Sequence, residues 1–250
     1  MGGAAGNNIV EFRGVRKAFG RLQVLAGLDL RIRRGETLTI IGGSGTGKTV
    51  ILKLIVGLLK PEAGQILVAG EDIVPLTEEQ LFRVRRRIGF LFQGGALFDS
   101  LSVGENVAYP LREHTPMDDG QVAARVREVL GLVGLDGIEG KEPAALSGGM
   151  RKRVALARAI ALAPDLILYD EPTTGLDPQN AEKANDLIRD LQRKLGVTSA
   201  VVTHDMHSAF KVSDRIAMLR EGRIAALGTP AELQQSADEL VQDFIAGRVE

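Results

Sequence analysis

The chain has 250 residues, with 31 Lys and Arg against 32 Asp and Glu and a formal net charge of -1. A hydrophobic share of 44% with 25% charged residues is that of a folded globular chain of about one domain, and the balanced charge speaks against a nucleic-acid footprint. The absence of cysteine excludes disulfides, thiolate-zinc and iron-sulfur ligation and a cysteine nucleophile.

Residues 1–10 carry neither a basic start nor an apolar run, so they read as no secretory signal, and Gly6 stands where N-myristoylation requires Ser or Thr. Residues 9–13 and 28–32 alternate apolar and polar, as does 65–68, which predicts a small antiparallel β layer. Residues 37–41 predict a strand that runs into a Gly-rich stretch. A helix of residues 50–59 follows, closed by Lys60-Pro61. Thr77 with Gln80 three residues on marks a helix start. Residues 88–92 predict a short strand ending at Gln93. From 120 to 163 the strand signal fades, and Val122, Val126, Val129, Leu130 and Val133 fall at helical spacing. Residues 166–169 and 198–203 read as buried parallel strands around an amphipathic helix of residues 181–195 closed by Gly196. Glu221-Gly222 predicts a hairpin between 216–219 and 224–227, Thr229-Pro230 opens a helix, and 237–247 has room for another. Strands alternating with helices imply an α/β fold with a parallel-sheet core, joined by an antiparallel β lobe and a helical lobe. The expected division is one domain over 1–250. Residues 9–96 with 164–227 form its core, 97–163 the helical lobe and 228–250 a tail.

Gly42-Gly43-Ser44-Gly45-Thr46-Gly47-Lys48-Thr49 fits G-x-x-x-x-G-K-[ST] between a predicted strand and a predicted helix. Such a P-loop wraps phosphates with backbone N–H groups. Lys48 supplies a cation to the outer phosphates, and Thr49 supplies a hydroxyl to Mg²⁺. The apolar run 166–169 delivers Asp170 and Glu171 to the end of a buried strand, where ligands of open α/β sheets bind. Asp170 there suits the Mg²⁺ shell and Glu171 a base that polarises an attacking water, although two acids in a loop are also simply solvated. Leu146-Ser147-Gly148-Gly149-Met150 opens a basic helix. Ser147 is an N-cap type, and the glycines admit an anion to the helix N-terminus; the same residues also read as a capped helix with a solvated basic face.

In this order, the P-loop, Leu146 to Gly149, the apolar run with Asp-Glu and a later His resemble the ABC-type ATPases over almost the whole chain. The resemblance implies ATP and Mg²⁺ as cofactors. It also implies a head-to-tail dimer in which Ser147, Gly148 and Gly149 of one copy cap ATP held by the P-loop of the other. Met150 departs from the family's usual Gln. By the same resemblance Phe19 stacks on adenine, Gln93 senses Mg²⁺ and the attacking water, Asp177 communicates across the dimer, and His204 contacts the γ-phosphate. His207 has no such support and reads as surface.

The segments Gln93-Gly94-Gly95-Ala96-Leu97-Phe98-Asp99-Ser100-Leu101 and Pro110-Leu111-Arg112-Glu113-His114-Thr115, with Met150, resemble the ATPases of the Mla and Mce lipid transporters. That implies phospholipid transport between inner and outer membranes, from the cytoplasmic face of a bacterial inner membrane. The partners implied are a permease, a lipid-binding MCE protein and a STAS-domain protein, with no nucleic acid. The alternatives are a non-transport scaffold ATPase and the ATPase of an importer for another solute. The basic run Arg83, Arg85, Arg86 and Arg87 reads as a solvated helix face, or as a surface for headgroups or a permease.

Overall fold

A computed structural model describes residues 7–248. The myristoylation reading at Gly2 and Gly6, most of the 1–10 segment and the last two tail residues lie outside them.

The predicted antiparallel layer is a four-stranded sheet. β1 (Asn8–Phe19) and β2 (Leu22–Arg33) form a hairpin, β4 (Ala63–Val68) pairs with the other edge of β1, and β5 (Glu71–Asp72) closes the edge. The hairpin is longer than the alternation suggests. Bulges at Phe12/Val15 and Lys17/Ala18 break the two-residue period while pairing continues. Val10, Phe12, Leu28, Ile32 and Ile66 are buried with residues of α1 (Lys48–Ile55) and α2 (Glu78–Arg85) in one apolar cluster.

The second sheet has six strands in the order β10-β9-β3-β8-β7-β6. β3 (Thr37–Ile41), β6 (Ile88–Leu91), β7 (Leu166–Asp170), β8 (Thr198–Val202) and β9 (Arg215–Arg220) run parallel. β10 (Arg223–Gly228) returns antiparallel. Its turn places Glu221 at φ 49 and Gly222 at φ 72, the left-handed pair that a two-residue hairpin needs. Every residue of β3, β7 and β8 is buried. Leu168, Ala200 and Ile40 join the cluster under the antiparallel sheet. Ile167, Tyr169 and Val201 join a second cluster formed with the helices that follow.

Those helices are α3 (Val103–His114), α4 (Asp119–Leu132) and α5 (Gly148–Ile160), with a 3-10 turn at Pro143–Ala145, and then α6 (Pro178–Leu195). α7 (Met206–Val212), α8 (Pro230–Gln234) and α9 (Glu239–Ile245) pack with β9 in a third cluster. Reciprocal capping boxes open α2 (Thr77/Gln80), α3 (Ser102/Glu105) and α4 (Asp118/Gln121), each satisfying two end groups of its helix. α1 starts two residues before the expected helix and stops at Ile55. There Gly57 takes φ 65, and the N–H groups of Leu58 and Leu59 turn back to the Lys53 carbonyl. α3 is masked in the sequence by its internal Pro110, and α7 by its seven-residue length.

Five helices end against an arginine from another element. Arg85 donates to the carbonyls of Val56 and Gly57 after α1, Arg86 to His114 of α3, and Arg153 to Val133 and Gly134 after α4. Arg125 donates to Ile160 and Ala161 at the end of α5, and Arg189 to Lys211 of α7. These are the carbonyls that a helix leaves unpaired, at its negative end. The basic run of α2 is therefore only in part a free surface, with Arg83 exposed. Arg85 and Arg86 are engaged as above, and Arg87 pairs with Asp165 at 2.6 Å.

Asn106 of α3 is fully buried and ties down the segment after β6. Its Oδ1 accepts from Phe98 N at 2.8 Å, and its Nδ2 donates to the carbonyls of Phe98, Leu101 and Ser102, each at 3.0 Å. Asn106→Ala strips these buried backbone groups of their partner. It is expected to lower the unfolding free energy by about 2 kcal/mol in denaturant titration. A change below about 0.5 kcal/mol would mean that water satisfies the segment equally well.

Candidate functional site

The phosphate-type loop begins where β3 ends. Gly42 and Gly47 are required by contact. A Cβ on Gly42 would lie 2.7 Å from the Leu219 carbonyl oxygen of β9, and one on Gly47, which sits at φ 106, would lie 2.5 Å from Val24 Cγ1. Thr46 Oγ1 donates to Gly43 O at 2.9 Å, closing the loop on itself. Lys48 opens α1 and is 8% exposed. Its ammonium donates to the carbonyls of Gly42 and Gly43 at 2.8 and 2.9 Å, so its charge is held over the loop mouth. Burial pushes the Lys48 ammonium down from its ordinary pKa, against the opposing pull of Glu171 and Asp170.

Asp170 is the last residue of β7, two strands from β3. Thr49 Oγ1 donates to its Oδ1 at 2.8 Å. Burial pushes the Asp170 carboxyl up, and the Thr49 hydrogen bond opposes it. This pair offers two oxygens side by side, with a carboxylate that makes no direct ion pair among the described residues. The donor set suits a hard divalent ion such as Mg²⁺. No group of three or more His, Asp and Glu side chains among the described residues could hold a metal. Phosphate oxygens would have to complete such a shell.

Glu171 leaves the strand in the left-handed region, at φ 50, a conformation that costs a residue with a Cβ about 1–2 kcal/mol. Its Oε2 receives Thr174 Oγ1 at 3.1 Å and Thr203 Oγ1 at 3.4 Å, and lies 2.9 Å from His204 Nδ1. His204 is two residues beyond β8, and Gln93 two beyond β6. A cleft of about 480 Å³ is lined by Phe19, Ser44, Gly45, Gly47, Lys48, Thr49, Gln93, Glu171 and His204, together with Val24 and Val50. Phe19 is half exposed at its rim, with Lys17 Nζ 5.1 Å from the ring centroid.

The other expected residues lie elsewhere on this chain. Ser147 caps α5, accepting from Met150 N at 3.2 Å, and neither it, Gly148, Gly149 nor Asp177 lines the cleft. Met150 packs its side chain against the helical cluster, where an apolar residue fits. Asp177 caps α6. Hydrogen bonds from Asn180, the backbone N–H first and then the side chain, hold its carboxyl below the usual range. Asn180 in turn lies 3.4 Å from where a Cβ on Gly149 would stand. His207 is exposed on α7 and meets Glu182 at 3.2 Å. Thr174 and Thr203 escape a reading of the sequence, because only the turn after β7 and the end of β8 bring them to Glu171.

A model of the ABC transporter family matches residues 25–174. The chain is 42% identical over 240 residues to the intermembrane phospholipid transport system ATP-binding protein MlaF of Haemophilus influenzae, covering 96% of this chain and 91% of that protein. For MlaF of Escherichia coli K12 the identity is again 42%, over 96% and 89%. It is 42% identical over 239 residues to the "Probable ribonucleotide transport ATP-binding protein mkl" of Mycobacterium leprae, covering 96% of this chain and 69% of that protein. Among solved structures, a dimeric ATP-binding cassette in a post-hydrolysis state with ADP and Pi superposes with a TM-score of 0.81 at 34% identity, over 88% of this chain and 98% of that one. The cbiO1 protein of Clostridium perfringens, part of an ABC transporter complex, gives 0.85 at 28% identity, over 95% and 94%.

The close approach of Gly42 to β9 makes a quantitative expectation. Gly42→Ala forces the loop away from the Leu219 carbonyl, so affinity for a fluorescent ATP analogue should fall at least about tenfold, or 1.4 kcal/mol. Affinity equal to the parent's would show that the loop does not depend on this contact.

Proposed function

The chain belongs to the ABC transporter family, and from that premise we propose that it is the ATP-hydrolysing subunit of a transporter moving phospholipid between the inner and outer membranes of a Gram-negative bacterium. The observation that carries the cargo is the 42% identity to MlaF proteins over nearly their whole length. The run from Gln93 to Thr115 agrees with it. The mkl relative, named for ribonucleotide transport, supplies the second reading, an ATPase for another solute.

In this reading the adenine of ATP stacks on the outer face of Phe19. The backbone of Gly43, Ser44, Gly45, Thr46 and Gly47 cradles the phosphates. Lys48 exchanges its two loop carbonyls for phosphate oxygens, a trade made easy because both partners already lie at the loop mouth. Thr49, Asp170 and Gln93 would hold Mg²⁺, which when bound neutralises charge on the outer phosphates. Glu171 is the base for the attacking water. Its contact with His204 has to loosen as the imidazole turns to the γ-phosphate, so these two side chains exchange partners when ATP arrives. The second copy's Ser147, Gly148, Gly149 and Asp177 close over the nucleotide from across a head-to-tail dimer. That arrangement accounts for their absence from the cleft of a single chain.

Closure on ATP and release after hydrolysis supply the mechanical cycle. No helix among the described residues is long and apolar enough to cross a membrane, so the motion has to pass to a membrane partner by surface contact. Phe98, exposed beside Tyr109 at 5.0 Å and Arg158 at 5.5 Å, lies on the segment after Gln93 and suits that contact. We assign the chain to the cytoplasmic face of the inner membrane. The complex it serves there comprises a permease in the membrane and a lipid-binding MCE protein on the outer side, with a STAS-domain protein as a further candidate partner of the ATPase.

Glu171→Gln keeps shape and loses the base. Turnover should drop by about 100-fold or more while ATP affinity stays within about threefold, and the dimer should accumulate on ATP in size-exclusion chromatography. Hydrolysis near the parent rate would remove Glu171 from the role.

Deleting the gene tests the cargo. Phospholipid should build up in the outer leaflet of the outer membrane and detergent sensitivity should rise. A normal lipid distribution with lost ribonucleotide uptake would decide for the second reading.

A further inference from the structure

Lys152 lies on α5, five residues after Ser147, and its ammonium reaches across to the turn that follows β7. It donates to the carbonyls of Glu171 at 3.3 Å, Pro172 at 3.0 Å and Thr174 at 2.6 Å. An ammonium has three protons, and here three carbonyls receive them. The site is half buried, and burial pushes the Lys152 ammonium down from its ordinary value, with Glu171 opposing. An apolar side chain of similar length would fill the same space without that desolvation cost, so packing alone does not account for a cation here.

The turn it grips is the strained one. Glu171 sits at φ 50, and its N–H is fixed to β8 through the Val202 carbonyl at 3.0 Å. Apart from Lys152, its own carbonyl has only the Thr174 N–H at 3.3 Å. The peptide after Glu171 is thus set between β8 on one side and Lys152 on the other. The orientation of that peptide sets the direction of the Cα–Cβ bond and of the carboxylate beyond it.

We propose that Lys152 is a positioning residue for hydrolysis, holding the left-handed Glu171 backbone of its own copy through the carbonyls of Glu171, Pro172 and Thr174. The proposal rests on Glu171 as base and on the head-to-tail dimer, and it adds a direction. The start of α5 serves the nucleotide of the other copy, whereas Lys152, one and a half turns on, serves the Glu171 of its own.

The test uses mixed dimers of the full chain in which one copy carries Glu171→Gln, so that only the site of the other copy turns over. Lys152→Met on the active copy should lower kcat about tenfold with KM for ATP within about twofold, and Lys152→Arg at the same place should recover most of it. Lys152→Met on the silenced copy should leave turnover within about twofold, although that copy supplies Ser147 to the active site. Equal losses in the two arrangements would mean general damage to α5 and would overturn the proposal. So would unchanged kcat on the active copy, or a loss that Arg fails to rescue. Two controls separate the premises. If Glu171→Gln in both copies leaves turnover near the parent's, the base assignment falls and the proposal with it. If Ser147→Arg on the silenced copy leaves turnover unchanged, the shared-site reading falls, and the direction claimed for Lys152 falls too.

Discussion

Parallel pairing aligns strand ends, and the site is made of strand ends. β3, β8, β7 and β6 lie side by side with the same sense, so Gly42, His204, Asp170 and Gln93 all emerge from one edge of one sheet. Because β3, β7 and β8 are buried on both faces, a slip of register would move polar strand-end residues into the core and apolar ones out of it. The 2.8 Å bond from Thr49 to Asp170 therefore depends on the backbone ladder between β3, β8 and β7, which Asp170 itself ends opposite Val202.

The second theme is the use of cations against carbonyls. Five arginines close helix C-termini, and Lys152 does the same for the turn after β7. The chain carries nearly as many basic as acidic residues, and part of its basic charge is directed at backbone carbonyls. A carbonyl-directed cation needs no carboxylate partner and so tolerates half-burial, where a surface ion pair adds little. It also adds a directional link between elements that already pack together. α2 is tied by Arg85 to the end of α1 and by Arg86 to the end of α3.

What the sequence reveals follows the distance over which each feature is decided. The phosphate loop, the Glu221-Gly222 hairpin and the caps Thr77, Ser147 and Thr229 are settled within a few neighbouring residues, and all are legible. So are the buried strands, since a run such as Leu166-Ile167-Leu168-Tyr169 has few other uses. α3 is hidden by Pro110, and the C-terminus of α1 is set by Gly57 well inside an apolar run. Asn106, Thr174, Thr203 and Lys152 are undistinguished in sequence, because their partners lie on other elements or on an irregular turn. The arginine run of α2 is legible only in part for the same reason. Arg83 is exposed as a solvated face would have it, while the helix ends that Arg85 and Arg86 meet lie far off in sequence.

The position of β3 in its sheet also bears on how the chain is made. Its neighbours are β8 and β9, so the strand that carries the phosphate loop has no partner until four fifths of the chain has left the ribosome. Roughly 160 residues separate Ile41 from Val202, which at synthesis rates of about 5–20 residues per second is a delay of about 8 to 32 s. The antiparallel hairpin at the start of the chain closes long before that. A nascent chain thus acquires its β layer early and its nucleotide site almost last, and cellular ATP has nothing to stabilise in a half-made copy.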